Sequence, residues 1–142
     1  VGQYKLTCAD LSGNFEAFSV EVMRRSKNIF LVTSTDVATL SLAQHRARLL
    51  QSLDLLDKTS LLLTRMAERP EISAADVRRD VGLPVAAEIR LDDRKVRDWL
   101  TQGELIQKDH GVWKQIQKAS TQFFWPLDPP SAGGGISGFF SR

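Results

Sequence analysis

Apolar residues fall along this chain in two alternating rhythms, short unbroken runs and stretches with steps of three and four. The runs predict strands and the stepped stretches predict amphipathic helices. The first run, Tyr4 to Cys8, reads as a short buried strand leading straight into Asp10, Ser12 and Gly13. Asn14 then caps a helix with Phe15, Phe18 and Val22 on one side. Glu16 lies in its first turn, and Arg24, Arg25 and Lys27 sit at its end, where the helix dipole favours cations. Asn28 to Thr33 is a continuous apolar run, typical of a strand covered on both faces. Ser34 to Asp36 forms a loop and cap, after which a long helix turns Leu40, Ala43, Ala47, Leu50 and Leu53 toward the sheet. Thr59 to Thr64 is the third strand, closing on Arg65.

A loop from Ala67 to Ile72 precedes Ser73 and Asp76, a capping-box start for a helix with Val77 and Val81 inward and Gly82 as its stop. Val85 to Ile89 is a fourth strand, weakened by Glu88 and entered through Pro84, where a ladder donor can be spared. Asp92 or Asp93 caps a short helix carrying Val96, Trp99 and Leu100, with Gly103 after it. A last helix puts Val112, Ile116, Ala119 and Phe123 in one stripe. Beyond it Pro and Gly dominate, which predicts a disordered tail over residues 125–142. The order β-α-β-α-β-α-β-α-α predicts an α/β fold: a mostly parallel sheet with right-handed crossovers and helices on both faces, a Rossmann-like three-layer sandwich.

At 142 residues one domain with its own core is expected. A net charge of +2 is too near balance to argue for nucleic acid or an anionic membrane as partner. Cys8 is the single cysteine, so neither an internal disulfide nor a thiolate metal cluster is possible, and its mid-strand place predicts a small buried hydrophobe. No signal peptide or long apolar span appears, which predicts a cytoplasmic protein. The chain begins at Val1 almost directly in a core-type strand, so a fragment with an upstream part is expected.

Parallel strands would bring four polar loops to one edge: Asp10 to Asn14, Ser34 to Asp36, Thr64 to Glu68, and Arg90 to Asp93. Ligands of open α/β sheets bind at that edge. The plainer reading is that strands end in Ser, Thr, Asp and Asn because these residues cap helices. Other chemistries fail. His45 and His110 have no zinc spacing, no Gly-x-Ser-x-Gly elbow exists, and Gly133-Gly134-Gly135 follows no strand and precedes no Lys-Ser or Lys-Thr.

Tyr4-Lys5-Leu6-Thr7-Cys8-Ala9-Asp10-Leu11-Ser12-Gly13-Asn14, followed by Phe18-Ser19-Val20-Glu21-Val22, resembles the Walker B region of MinD/ParA-type P-loop ATPases, nearest to the CpaE/TadZ proteins of pilus assembly. Further matches follow in order: Ile29 to Ser34 with Leu40, Leu61 to Arg65, Ile72-Ser73 with Val77, Gly82 to Val85, and Ile89 to Asp93 with Val96 and Gly103. The similarity runs from Tyr4 to Phe123, and its specificity lies in order and spacing rather than in any one motif.

The resemblance implies a partial P-loop NTPase fold, with residues 1–124 as the C-terminal portion of the ATPase domain. It makes Asp10 the Walker B acid, holding a magnesium-bound water, and Gly13 the switch glycine approaching the γ-phosphate, with Ser12 beside it. Thr64 falls where the family often has an adenine-contacting Asn, and Arg65 matches the Arg that follows. Arg90-Leu91-Asp92 falls at a turn beside the adenine that is usually Ile-Pro-x-Asp. Thr64 for Asn and Arg90 for Pro are departures that put the adenine contacts in doubt.

The deviant Walker A loop with its two lysines belongs upstream, so Mg-ATP is expected as a cofactor of the full-length protein, with this chain alone neither binding ATP tightly nor hydrolysing it. The resemblance further implies a homodimer, partners in pilus or secretion assembly, and a peripheral place at the inner membrane or a cell pole. The alternative is a non-catalytic interaction module that kept the sheet and lost the nucleotide site. MinD ends in an amphipathic membrane-binding helix. Here Gly138-Phe139-Phe140 is too short and glycine-rich for one, while Phe123-Phe124-Trp125 reads as packing on the sheet. Trp99 and Trp113, at helical spacing, read as core rather than as a partner surface.

Overall fold

In the computed structural model, which describes residues 4, 6–11, 13–65, 72–91, 94–105 and 107–124, the sheet has three strands in the order β1-β2-β3. They are β1 (Ile29–Ser34), β2 (Thr59–Arg65) and β3 (Val85–Arg90). Both pairings are parallel, with Ile29 to Ser34 opposite Thr59 to Thr64 and a register shift between Leu61 and Leu62 on the β3 side. Helices α1 (Ala17–Arg25), α2 (Val37–Ser52), α3 (Ala74–Val81), α4 (Arg94–Gln102) and α5 (Gly111–Phe124) surround it.

The middle strand organises the core. In β2, Thr59, Leu61, Leu63 and Arg65 are buried while Ser60, Leu62 and Thr64 are half-buried, so period two sends the first set to one face. There Leu61 and Leu63 join Leu40, Ala43 and Ala47 of α2 and Val77 and Val81 of α3, with Leu83 completing the cluster. Phe30 of β1 points the other way and meets Phe123 of α5 edge-on, ring centroids 5.0 Å apart. Helices therefore lie on both faces, as the α/β pattern predicts.

Local signals hold at the helix ends. Asp36 caps α2, Ser73 and Asp76 form the reciprocal capping box of α3, and Gly82 ends α3 at φ +78°, a region open to glycine. Trp99 is half-buried and edge-on to His110, centroids 4.9 Å apart, and Trp113 is half-buried too, in keeping with a packing role.

Several expectations are corrected. The described residues from Tyr4 to Leu11 form no strand; Tyr4 is 73% exposed, and Cys8 is exposed rather than buried. A strand exists only through its ladder, and among the described residues none pairs with this segment to supply one. Helix α1 starts at Ala17 behind Glu16, not behind Asn14, and buries Ser19 and Met23 while Phe18 stays 74% exposed. Met23 docks against Leu50 and Leu55, so the packed face lies one residue, about 100°, round from the expected stripe. Strand β1 is covered well on its α2 side only, leaving Val32 62% exposed. Ile116 of α5 is also more exposed than its stripe predicts. The expectations for Ser12, Asp92, Asp93, the loop at 67–71 and the tail 125–142 fall outside the described residues.

Candidate functional site

Because the strands are parallel, the carboxyl ends of β1, β2 and β3 share one edge. At the end of β1, hydroxyl and amide donors converge on the Asp36 carboxylate. Ser34 Oγ donates to Oδ2, Thr39 Oγ1 donates to Oδ2 at 2.7 Å, and the Thr39 N–H donates to Oδ1 at 2.9 Å. These donors, the Ser34 hydroxyl foremost, hold the Asp36 carboxyl down at about 2 from an ordinary 3.8. The cluster is a helix cap satisfied from within, which favours the capping reading of this loop.

One strand over, Thr64 Oγ1 donates to the Thr33 carbonyl at 3.1 Å, tying β2 to β1. Arg65 faces the α2/α3 side and is only 7% exposed. Its Nε lies 2.9 Å from Glu88 Oε2, yet this nitrogen has no hydrogen-bond partner by geometry, so the contact is ionic and poorly aligned. Arg90 stands opposite Arg65 in the register, and its N–H donates to Gln115 Oε1 at 2.9 Å. The Leu91 N–H continues the ladder to the Arg65 carbonyl at 2.7 Å. Register thus brings Thr64, Arg65 and Arg90 together; Asp92 lies outside the described residues.

Asp10 and Gly13 do not join that group. Asp10 is exposed, and Ser12 lies outside the described residues. Gly13 packs under the Arg46 guanidinium of α2: a Cβ added at Gly13 would stand 2.3 Å from Arg46 Nη2. Arg46 also lies over the Phe15 ring, 6.0 Å from its centroid. Arg46 is ten residues past the Asp36 cap, hence about 15 Å down the helix from the strand-end edge. The candidate residues that the structure describes therefore form two groups. Among the described residues, no three His, Cys, Asp or Glu side chains converge as a metal site.

Sequence reasoning missed three participants. Glu88 is the counter-ion of Arg65; its signal was a lone acid interrupting an apolar strand. Arg46 and Gln115 lie on helices that the spacing predicts, with no motif to single them out.

No family model matches the chain, and no curated protein is similar to it in sequence. Solved structures are similar in fold. MinD cell division protein from Aquifex aeolicus superposes with a TM-score of 0.61 at 16% identity, over 70% of this chain and 44% of that one. A ParA family ATPase from Chlorobium tepidum TLS gives 0.64 at 17% identity, over 75% and 46%. The MinC:MinD cell division protein complex of Aquifex aeolicus gives 0.65 at 17%, over 84% and 51%. The chain has the P-loop-NTPase-like α/β fold of MinD and ParA proteins, and it spans about half the length of these structures. No helix among the described residues is long and apolar enough to cross a membrane.

Proposed function

We propose that this chain is the C-terminal portion of a MinD/ParA-like ATPase domain that helps localise or assemble a pilus or secretion apparatus. The observation that carries the reading is the likeness of its three parallel strands and their helices to MinD and ParA structures over 70–84% of the chain. The order of motifs from Asp10 to Gly103 supports the CpaE/TadZ branch. In the complete domain Asp10 would hold a magnesium-bound water, and Ser12 and Gly13 would lie by the γ-phosphate. Thr64, Arg65, Arg90 and Asp92 would border the adenine. The full-length protein would work as a homodimer at the inner membrane or a cell pole.

The test is to extend the chain with the residues its gene encodes before Val1 and titrate Mg-ATP. A Lys-Gly-Gly-x-Gly-Lys-Thr-like loop and binding that is lost in Asp10→Asn are expected. Absence of such a loop, or an Asp10→Asn variant that binds Mg-ATP as the parent does, would defeat the reading. One observation favours the second reading, an interaction module: Thr64 and Arg65 already spend their side chains on Thr33 and Glu88.

A further inference from the structure

Helix α2 offers a second seat besides the face it packs on the sheet. Its Leu50 joins Met23 of α1 and Leu55 in a small apolar cluster, and Leu11 and Phe15 of the N-terminal segment pack against that cluster. Arg46, one turn before Leu50, shares its side of the helix. Gly13, between Leu11 and Phe15, lies under the Arg46 guanidinium. A Cβ there would stand 2.3, 2.6 and 2.9 Å from Nη2, Nη1 and Cζ. The same guanidinium covers the Phe15 ring, 6.0 Å from its centroid. The segment is thus held at positions 11, 13 and 15, with Arg46 closing over the middle one.

The hold is weak. Arg46, Leu11 and Phe15 are all only half-buried, and among the described residues no carboxylate pairs with Arg46. Its contact with Phe15 lies at the outer reach of cation–π attraction, which at exposed sites favours the contact by only about two- to fivefold. The seat also lies about 15 Å down α2 from the strand-end edge, where Thr64, Arg65 and Arg90 meet.

We propose that Arg46 is an autoinhibitory clamp, closing the Leu11–Phe15 segment onto α2 and keeping Asp10 and Gly13 from the strand-end edge. The inference rests on reading Asp10 and Gly13 as part of a nucleotide site. Assembly of that site requires the segment to leave α2, and Arg46 is the side chain that has to swing aside. Gly13 serves the clamp as well, because a side chain at this position would take the guanidinium's place.

Chymotrypsin cleavage after Phe15 reads the released population, since the ring must leave the cluster to enter the protease. Each rate in the 142-residue chain is divided by that of a peptide of residues 10–20 with the same substitution. Arg46→Ala should be cut about two- to fivefold faster than the parent. Gly13→Ala displaces the guanidinium by another route and should match it, and the double variant should be no faster than either single one. An Arg46→Ala rate equal to the parent's overturns the clamp, and so does a double variant in which the two increases multiply. Cleavage after Trp113 of α5 should keep the parent rate throughout; an equal rise there would mean general loosening and would overturn it too. Failure of the ATPase reading would look different: these rates as expected, but no Mg-ATP bound by the chain extended before Val1.

Discussion

Strand β2 and the stretch from Tyr4 to Cys8 have similar apolar sequences and very different surroundings. β2 lies between two parallel neighbours, with α2 and α3 packed on Leu61 and Leu63, which are fully buried. Among the described residues from Tyr4 to Leu11 none joins a ladder, and Tyr4 remains 73% exposed. An apolar strand sequence is thus a requirement for partners rather than a structure in itself. The same lesson applies in part to β1, satisfied on its β2 side and open on the other.

The sharpest way to break this contrast is a pair of truncations. Leu61→Ala should cost about 3–4 kcal/mol in urea denaturation, as a core leucine with little room to collapse. Leu6→Ala should cost under about 1 kcal/mol. Equal costs would mean that the Tyr4 segment belongs to the cooperative core after all.

A smaller effect contrasts charges. Glu88→Ala strands the buried Arg65 guanidinium without its counter-ion and should cost about 1–2 kcal/mol, discounted because the Glu88 side chain is 42% exposed. Asp10→Ala should stay within about 0.5 kcal/mol, since Asp10 is exposed. A double-mutant cycle of Glu88→Ala with Arg65→Met should recover part of the Glu88 loss; a purely additive cycle would show that the ion pair is not coupled.

Much of the fold was legible because local chemistry and burial agreed. Ser73, Asp76 and Gly82 mark α3, Asp36 starts α2, and Leu40, Ala43, Ala47 and Leu50 are buried as their spacing predicts. What failed depended on partners. Periodicity could not say that α1 would dock through Met23 and turn Phe18 outward, nor that Cys8 would lack a neighbouring strand. The candidate site was legible only where register decides it. Arg65 and Arg90 are brought opposite by pairing, whereas the Gly13–Arg46 contact joins residues far apart in sequence with no motif between them.

Acid should act on the β1–α2 junction before the core. The folded Asp36 carboxyl sits at about 2, below its ordinary 3.8, so its contribution is complete above about pH 4 and is lost as pH falls toward 2. Melting temperature followed over that range should fall in the parent and fall less in Asp36→Asn, which keeps a cap without a titrating charge. A parallel decline in both would assign the acid sensitivity elsewhere.

The smallest effect concerns Cys8. Its thiol is exposed, so it should react with a disulfide reagent in the native protein as fast as in urea, and Cys8→Ser should shift stability by no more than about 0.5 kcal/mol. Labelling that waits for unfolding would return Cys8 to a buried strand.

Central to this account is a chain with the MinD/ParA-like fold in which Gly13 lies under Arg46 and Arg65 is held by Glu88, and which is expected by itself not to bind ATP tightly. Isothermal titration of Mg-ATP into the 142-residue chain tests that most directly. No saturable heat at micromolar nucleotide is the expected result; a micromolar dissociation constant would contradict it.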